Sequence, residues 1–294
     1  GVLGAGTLRW PGGTVANYWS LADGGFHWQT QPGESWEGSF ATRQARVELK
    51  PAGTFTPWNF WSGVASASAG ATPTGPIWVL NVLTMQGDEM LAQVDALQAS
   101  GAPVGMIEIG NELSYGGVYL REFPYDGMSY AAKIRPLCAK IRQAYPDAKI
   151  GVVSGGGEWM GALAEIAELF DAIVWHDYSP DRCLGVSATE DDRSDATWMS
   201  YVAAYGDRTG HVNADSLNGL PTALHNKHWW LTEFALPKNR CGAPFPELGL
   251  GTLRGAHWLS HVLSAINGYD GARAVRLLAY HVYSNQWNAA EDVR

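Results

Sequence analysis

The stretch Ile77–Glu112, IWVLNVLTMQGDEMLAQVDALQASGAPVGMIEIGNE, decides the fold. Its two ends, Ile77–Val82 and Val104–Ile109, read as short apolar strands, and Met90–Ala99 between them carries Leu91, Val94 and Leu97 at helical spacing. A strand–helix–strand unit whose strands are apolar on both faces belongs to a parallel sheet covered by helices.

Working outward, the same alternation continues in both directions. Leu8–Trp10 reads as a strand upstream, and Lys149–Val153, Ala172–Trp175, Trp229–Leu231 and Val275–Tyr280 read as strands downstream. Met128–Ala144, with Ile134, Leu137 and Ile141, has helical period, as do Trp159–Phe170 and Thr252–Ile266. The expected fold is α/β, a (β/α)8 TIM barrel, which in ordinary size takes about 250 residues. Only seven strands are read where closure needs eight, and the earliest lies within the first ten residues. The expectation is therefore one catalytic barrel domain over residues 1–294, N-terminally incomplete, with a second chain or a missing segment completing it. An open doubly wound sheet is the structural alternative. Gly4-Ala5-Gly6 hints at a dinucleotide loop, but Arg9-Trp10-Pro11 stands where its phosphate-binding helix should start, which argues against an NAD-type enzyme. Ser66–Gly75 reads as a loop before a strand, and residues 178–226 form the longest irregular region, where a barrel builds specificity.

Composition excludes several classes. Of 294 residues, 46% are hydrophobic and 17% charged, which is globular, and no 18-residue apolar run marks a membrane helix. A net charge of -9 argues against nucleic acid as a partner, since polyanion binders need basic patches. Many of the 14 tryptophans are expected in the core, where aromatic rings bury large apolar areas, but Trp10, Trp19, Trp28, Trp36, Trp159 and Trp287 fall in loop-like sequence, where flat rings suit the C–H faces of sugars. Of three cysteines, Cys138 reads as a buried thiol, while Cys183 and Cys241 follow strands and could bridge in an oxidising compartment.

Two acids carry the chemistry. IEIGNE ends at Glu112 and WWLTEF contains Glu233, each beside a run that reads as a buried strand. In one barrel, both carboxyls would face its mouth, and two carboxylates flanking a sugar ring are the machinery of glycoside hydrolysis. Alternation puts Glu108, Gly110 and Glu112 on one side, so Glu108 points inward beneath Glu112 and needs a cation. Arg9 on the neighbouring strand is its expected partner.

These motifs resemble the retaining glycoside hydrolases of clan A, (β/α)8 enzymes with glutamates after strands four and seven. Asn111-Glu112 matches the first and Glu233 the second. The resemblance implies that Glu112 is the acid/base, Glu233 the nucleophile, and that Asn111 bonds the sugar 2-hydroxyl. LRWPGG over Leu8–Gly13, followed by Asn17-Tyr18-Trp19, is similar to the second-strand segment of the arabinofuranosidase, xylosidase and heparanase-like families, which implies that Arg9 bonds the nucleophile and keeps it ionised. His176-Asp177-Tyr178 resembles the segment that touches the nucleophile, so His176 and Tyr178 are expected to orient Glu233. Trp287, after the last strand, is expected as a sugar platform. Relatives commonly attach a β-sandwich, for which the residues after Tyr280 leave no room.

The remaining candidates point elsewhere. Glu158 reads as a helix-start acid favoured by the macrodipole. His176, His211, His225 and His228 lack H-E-x-x-H spacing, and Asp191, Asp192 and Asp195 read as a solvated loop, so no metal and no cofactor is expected. No Gly-x-Ser-x-Gly elbow supports a serine hydrolase. The expected substrate is a glycan, with a polymer favoured by the tryptophan-rich loops, in a secreted or periplasmic setting. A non-catalytic carbohydrate-binding protein on a degenerate barrel is the alternative, against which stand two intact glutamates and Arg9.

Overall fold

The computed structural model describes residues 9–27, 54–67, 75–114, 126–178, 219–235 and 275–278. The chain divides into two compact units, Gly1–Ala172 and Ile173–Arg294. All seven anticipated strands are present, four in the first unit and three in the second.

In the first unit, β1 (Arg9–Trp10), β4 (Ile77–Leu80), β5 (Met106–Ile109) and β6 (Lys149–Val153) lie side by side in that order, all parallel. In register, Arg9 stands beside Ile77, Val79 beside Glu108, and Glu108 beside Gly151. Two further two-residue strands, β2 (Trp19–Ser20) and β3 (Gly25–Phe26), pair antiparallel as a small hairpin after a 3-10 turn at Gly13–Tyr18.

The strands are buried because neither face carries enough polar surface to meet water. Ile77, Trp78, Leu80, Ile107, Ile109, Ile150 and Val152 are all fully covered. Helix α2 (Gly87–Ser100) contributes Met90, Val94 and Leu97, and helix α3 (Gly127–Ala144) contributes Ile134, Leu137, Cys138 and Ile141. These spacings of three and four place one apolar stripe per helix against the sheet. Helix α2 stops at Gly101, whose φ of 68° is the left-handed conformation that glycine adopts without penalty. A reciprocal capping box between Asp126 and Ser129 starts α3. Pro136 inside α3 faces solvent.

Three features differ from the sequence reading. Helix α1 (Pro57–Ala67, PWNFWSGVASA) precedes β4, and its small residues and clustered aromatics obscure helical period, so part of the expected Ser66–Gly75 loop is helix. The strand expected over 77–82 ends at Leu80 because the Asn81 side chain takes over: its Oδ1 accepts from the backbone N–H of Leu83 and of Thr84, both at 3.1 Å. Helix α4 (Gly157–Ala164), with a 3-10 turn at Ala167–Leu169, replaces the single helix expected from Trp159 to Phe170.

Tryptophans expected as sugar-facing are packing residues wherever they are described. Trp19 and Trp159 are buried, and Trp10 stacks on Phe60 at 5.1 Å and meets Trp19 and Trp78 edge-on. Phe26 and Phe55 extend the cluster around Trp19. Each such pair is worth about 0.5–1.5 kcal/mol beyond its area, which accounts for the aromatics without a ligand. Trp159 stacks on Tyr130 at 4.7 Å and donates to Val153 O. Trp28, Trp36, Trp287, Cys183, Cys241, His211, Asp191, Asp192, Asp195 and the helix expected over 252–266 lie outside the described residues.

In the second unit, β7 (Ala172–Tyr178), β8 (His228–Ala235) and β9 (Val275–Leu278) lie in that order, β8 and β9 parallel with an irregularity between Trp229 and Trp230. Both β7 and β8 run longer than expected, so His176 and Glu233 sit within strands rather than past their ends.

Candidate active site

In the first unit, the candidate residues gather at the exit of β5. Gly110 continues the sheet by donating its N–H to Leu80 O at 3.0 Å, and then turns with φ of 84°. A side chain there would put its Cβ 2.6 Å from Leu113 Cδ1 and 2.9 Å from Val82 Cγ2. Glycine is thus required both by conformation and by space. Glu112 also has positive φ, 51°, alone among the described non-glycine residues. Holding such a residue left-handed costs on the order of 1 kcal/mol and persists only where surrounding contacts enforce it, as at functional sites.

Beneath Glu112, Glu108 is fully buried and engaged by Arg9, as its inward register requires. Arg9 Nε donates to Glu108 Oε2 at 2.8 Å, and Nη2 donates to Oε1 at 2.5 Å. The two side chains are 6% and 0% exposed. This two-point geometry is the arrangement guanidinium makes best with carboxylate. The same Nη2 donates to Asn111 Oδ1 at 2.7 Å. Arg9 therefore ties a buried countercharge to the side chain next to Glu112.

Asn111 is itself fully buried. With its Oδ1 committed to Arg9, its amide nitrogen Nδ2 is oriented, and that nitrogen has no hydrogen-bond partner among the described residues. A buried amide donor left open calls for an explanation, because an unmade bond of this kind costs about 1–3 kcal/mol. The backbone of Asn111 is held by Asn17, a residue with no role expected from its place in the sequence. Asn17 accepts from Asn111 N at 3.0 Å through Oδ1 and donates from Nδ2 to Asn111 O at 2.7 Å. The neighbouring strand end has the same device: Gln93 accepts from Asn81 N at 2.9 Å and donates to Asn81 O at 2.8 Å. Thr84 links the two, accepting from Asn81 Nδ2 at 2.8 Å and donating to Asn17 O at 3.4 Å. Asn17 stands in a quoted motif, but its partner is 94 positions away, so only the folded chain reveals the contact.

Tyr130 of α3 braces the other side. Its hydroxyl donates to Ile109 O at 2.6 Å and accepts from Val153 N at 3.1 Å, joining the ends of β5 and β6. Glu158 is an exposed acid in the first turn of α4, in keeping with its reading as a helix-start residue.

The second unit brings His176 and Glu233 together. His176 Nε2 is 3.0 Å from Thr232 Oγ1, while Nδ1 is 3.8 Å from Glu233 Oε2, with both side chains 3% exposed. At 3.8 Å the contact is too long for a hydrogen bond, but a protonated imidazole there would still form an ion pair. Tyr178 occupies the last position of β7, and its side chain lies outside the described residues.

No protein-family model matches the chain, and no curated protein matches it. Among solved structures, the chain is similar to a family 51 α-L-arabinofuranosidase from Bifidobacterium longum, with a TM-score of 0.61 and 14% identity over 95% of this chain and 58% of that one. It is similar to a family 51 arabinofuranosidase from Xanthomonas axonopodis pv. citri, with a TM-score of 0.62 and 16% identity over 94% and 57%. An arabinose complex of α-L-arabinofuranosidase from Thermotoga maritima gives 0.59 and 17% over 94% and 55%. The chain spans a little over half the length of these enzymes. At such identity the likeness establishes the fold, and it bears out the resemblance drawn from the sequence motifs at that level: the chain has the α/β architecture of these glycosidases.

Proposed function

We propose that the chain, read as one domain, is the catalytic part of a retaining glycoside hydrolase acting on an oligosaccharide or polysaccharide, with Glu112 as acid/base and Glu233 as nucleophile. The observation that carries this reading is Asn111: a buried amide whose carbonyl is fixed by Arg9, whose Nδ2 is open among the described residues, and which immediately precedes a glutamate held at positive φ. An oriented donor beside an acid suits a sugar hydroxyl next to the scissile bond, where a bond to the 2-hydroxyl strengthens as charge develops at the anomeric carbon. Buried Glu233 with His176 beside it supports the nucleophile role in the second unit.

The chemistry follows from these roles. A retaining enzyme holds its carboxyls about 5–5.5 Å apart, one ionised and one protonated. Glu233 attacks the anomeric carbon while Glu112 donates its proton to the leaving oxygen. The glycosyl ester then forms, Glu233 loses its negative charge, and Glu112 becomes the base that activates water. Arg9 and the His176–Tyr178 segment are assigned to keeping Glu233 ionised and oriented, and Trp287 to the wall of the sugar site. The reaction uses no cofactor and no metal in this scheme. Among the described residues no helix is long and apolar enough to cross a membrane, and a secreted or periplasmic setting belongs to the same proposal.

Assay of the purified chain against a panel of plant, algal and animal glycans tests the reading. Cleavage by the wild type and its loss in a folded Glu233→Gln variant are expected. Wild-type activity in that variant would sink the nucleophile assignment, and binding without cleavage by the wild type would favour the carbohydrate-binding alternative.

A further inference from the structure

We infer that Asn17 is a positioning residue for the acid/base, acting through the backbone of Asn111. This rests on the glycosidase reading of Glu112 and deepens it.

Three observations converge. First, the Asn17 carboxamide bonds both backbone groups of Asn111, Oδ1 receiving the N–H and Nδ2 reaching the carbonyl. Such a two-point contact fixes the plane of the peptide groups on either side, which a single bond leaves free to rotate. Second, Glu112 directly follows, and its positive φ is a conformation that a glutamate leaves unless it is enforced. The carbonyl gripped by Asn17 belongs to the peptide joining Asn111 to Glu112, so the clamp acts on the torsion that sets the direction of the Glu112 side chain. Third, Asn17 is itself immobilised: it is fully buried, lies in the 3-10 turn Gly13–Tyr18, and its own carbonyl accepts from Thr84. The turn begins a few residues after Arg9. One short segment therefore orients the Asn111 side chain through Arg9 and its backbone through Asn17.

Gln93 supplies the internal control. It grips Asn81 at the end of β4 by the same pair of bonds, in the same buried network, but Asn81 carries no catalytic acid next to it. Removing either carboxamide opens two backbone groups of a buried asparagine. Only removal of Asn17 frees Glu112.

The experiment compares Asn17→Ala and Gln93→Ala in the full chain, using aryl glycosides of one sugar with leaving groups from activated to poor. Proton donation matters most when the leaving group is poor, and general acid catalysis contributes on the order of 10²–10⁴-fold. Expected for Asn17→Ala is a fall in kcat/KM of about 100-fold on the poorest leaving group, with less than about 5-fold on the most activated. Gln93→Ala is expected to change both by the same small factor. A uniform fall in Asn17→Ala, or the same leaving-group dependence in both variants, would reduce Asn17 to a structural residue and overturn the inference. Amide hydrogen exchange of Asn111 reads the clamp without activity, protection being lost in Asn17→Ala and retained in Gln93→Ala. If the wild type cleaves no glycoside, the glycosidase reading fails on its own account. Unchanged Asn111 protection in Asn17→Ala overturns the clamp itself.

Discussion

Replacing Arg9 by methionine removes the guanidinium from a carboxylate that is fully buried. Two unit charges about 4 Å apart at an effective dielectric of 20 attract by about 4 kcal/mol. Breaking a buried pair from one side costs about 3–5 kcal/mol, because the surviving charge stays in the low dielectric without its partner. Against a net stability of about 5–15 kcal/mol, that is a large fraction. With an m-value of roughly 2–3 kcal/mol/M, the urea midpoint of Arg9→Met should fall by about 1–2.5 M. Glu108→Leu should lose a similar amount. The double variant, Arg9→Met with Glu108→Leu, leaves no stranded charge and should return toward the wild type, as apolar replacements of buried pairs often do. Any shortfall, up to about 1–3 kcal/mol, belongs to the buried Asn111 Oδ1 left without its donor, and for the same reason the double variant should be inactive. Circular dichroism in urea with parallel glycosidase assay reads both quantities. Singles that lose under about 1 kcal/mol, or a double variant as unstable as the two singles added, would refute this account of the pair.

Other consequences of the packing are open to direct test. Gly110→Ala should destabilise by about 1–3 kcal/mol in thermal unfolding, since the added Cβ meets Leu113 and Val82 at a backbone angle alanine disfavours. Tyr130→Phe should cost about 1–3 kcal/mol by urea titration, because Val153 N and Ile109 O lose their shared hydroxyl. Burial lowers the Lys133 amine to about 8, so between pH 8 and its unfolded value the unfolded chain binds more protons and stability rises with pH. The stabilisation expected of Lys133→Met at pH 7 should therefore shrink over that range, and a gain that grows with pH would contradict it. Burial pushes the Cys138 thiol up to about 12, and in a Cys183→Ser, Cys241→Ser background it should react with a thiol reagent at pH 8 only after denaturant is added.

The strands were legible because buried parallel strands are short apolar runs, and Ile77–Leu80, Met106–Ile109 and Lys149–Val153 have no rival reading. Period-two alternation placed Glu108 inward, and a buried carboxylate's need for a cation pointed to Arg9. What escaped was non-local or lacked periodicity. Helix α1 has aromatics and small residues without a clean stripe, and the packing of Trp10 and Trp19 depends on Phe55 and Phe60, which sequence alone does not bring near them. A tryptophan in loop-like sequence serves a sugar or a core equally well until its neighbours are known. Asn17 and Gln93 show the same limit for polar residues, since a carboxamide becomes a clamp only through its partner's position.

In the proposed mechanism Glu233 attacks carbon and Glu112 manages the proton. Mass spectrometry of a Glu112→Ala variant mixed with activated aryl glycosides tests it most directly, because attack needs no acid for a good leaving group whereas release of the ester needs the missing base. The expected result is one glycosyl mass added to the peptide containing Glu233. An adduct on another residue, or no adduct together with inverted product from the wild type, would contradict it.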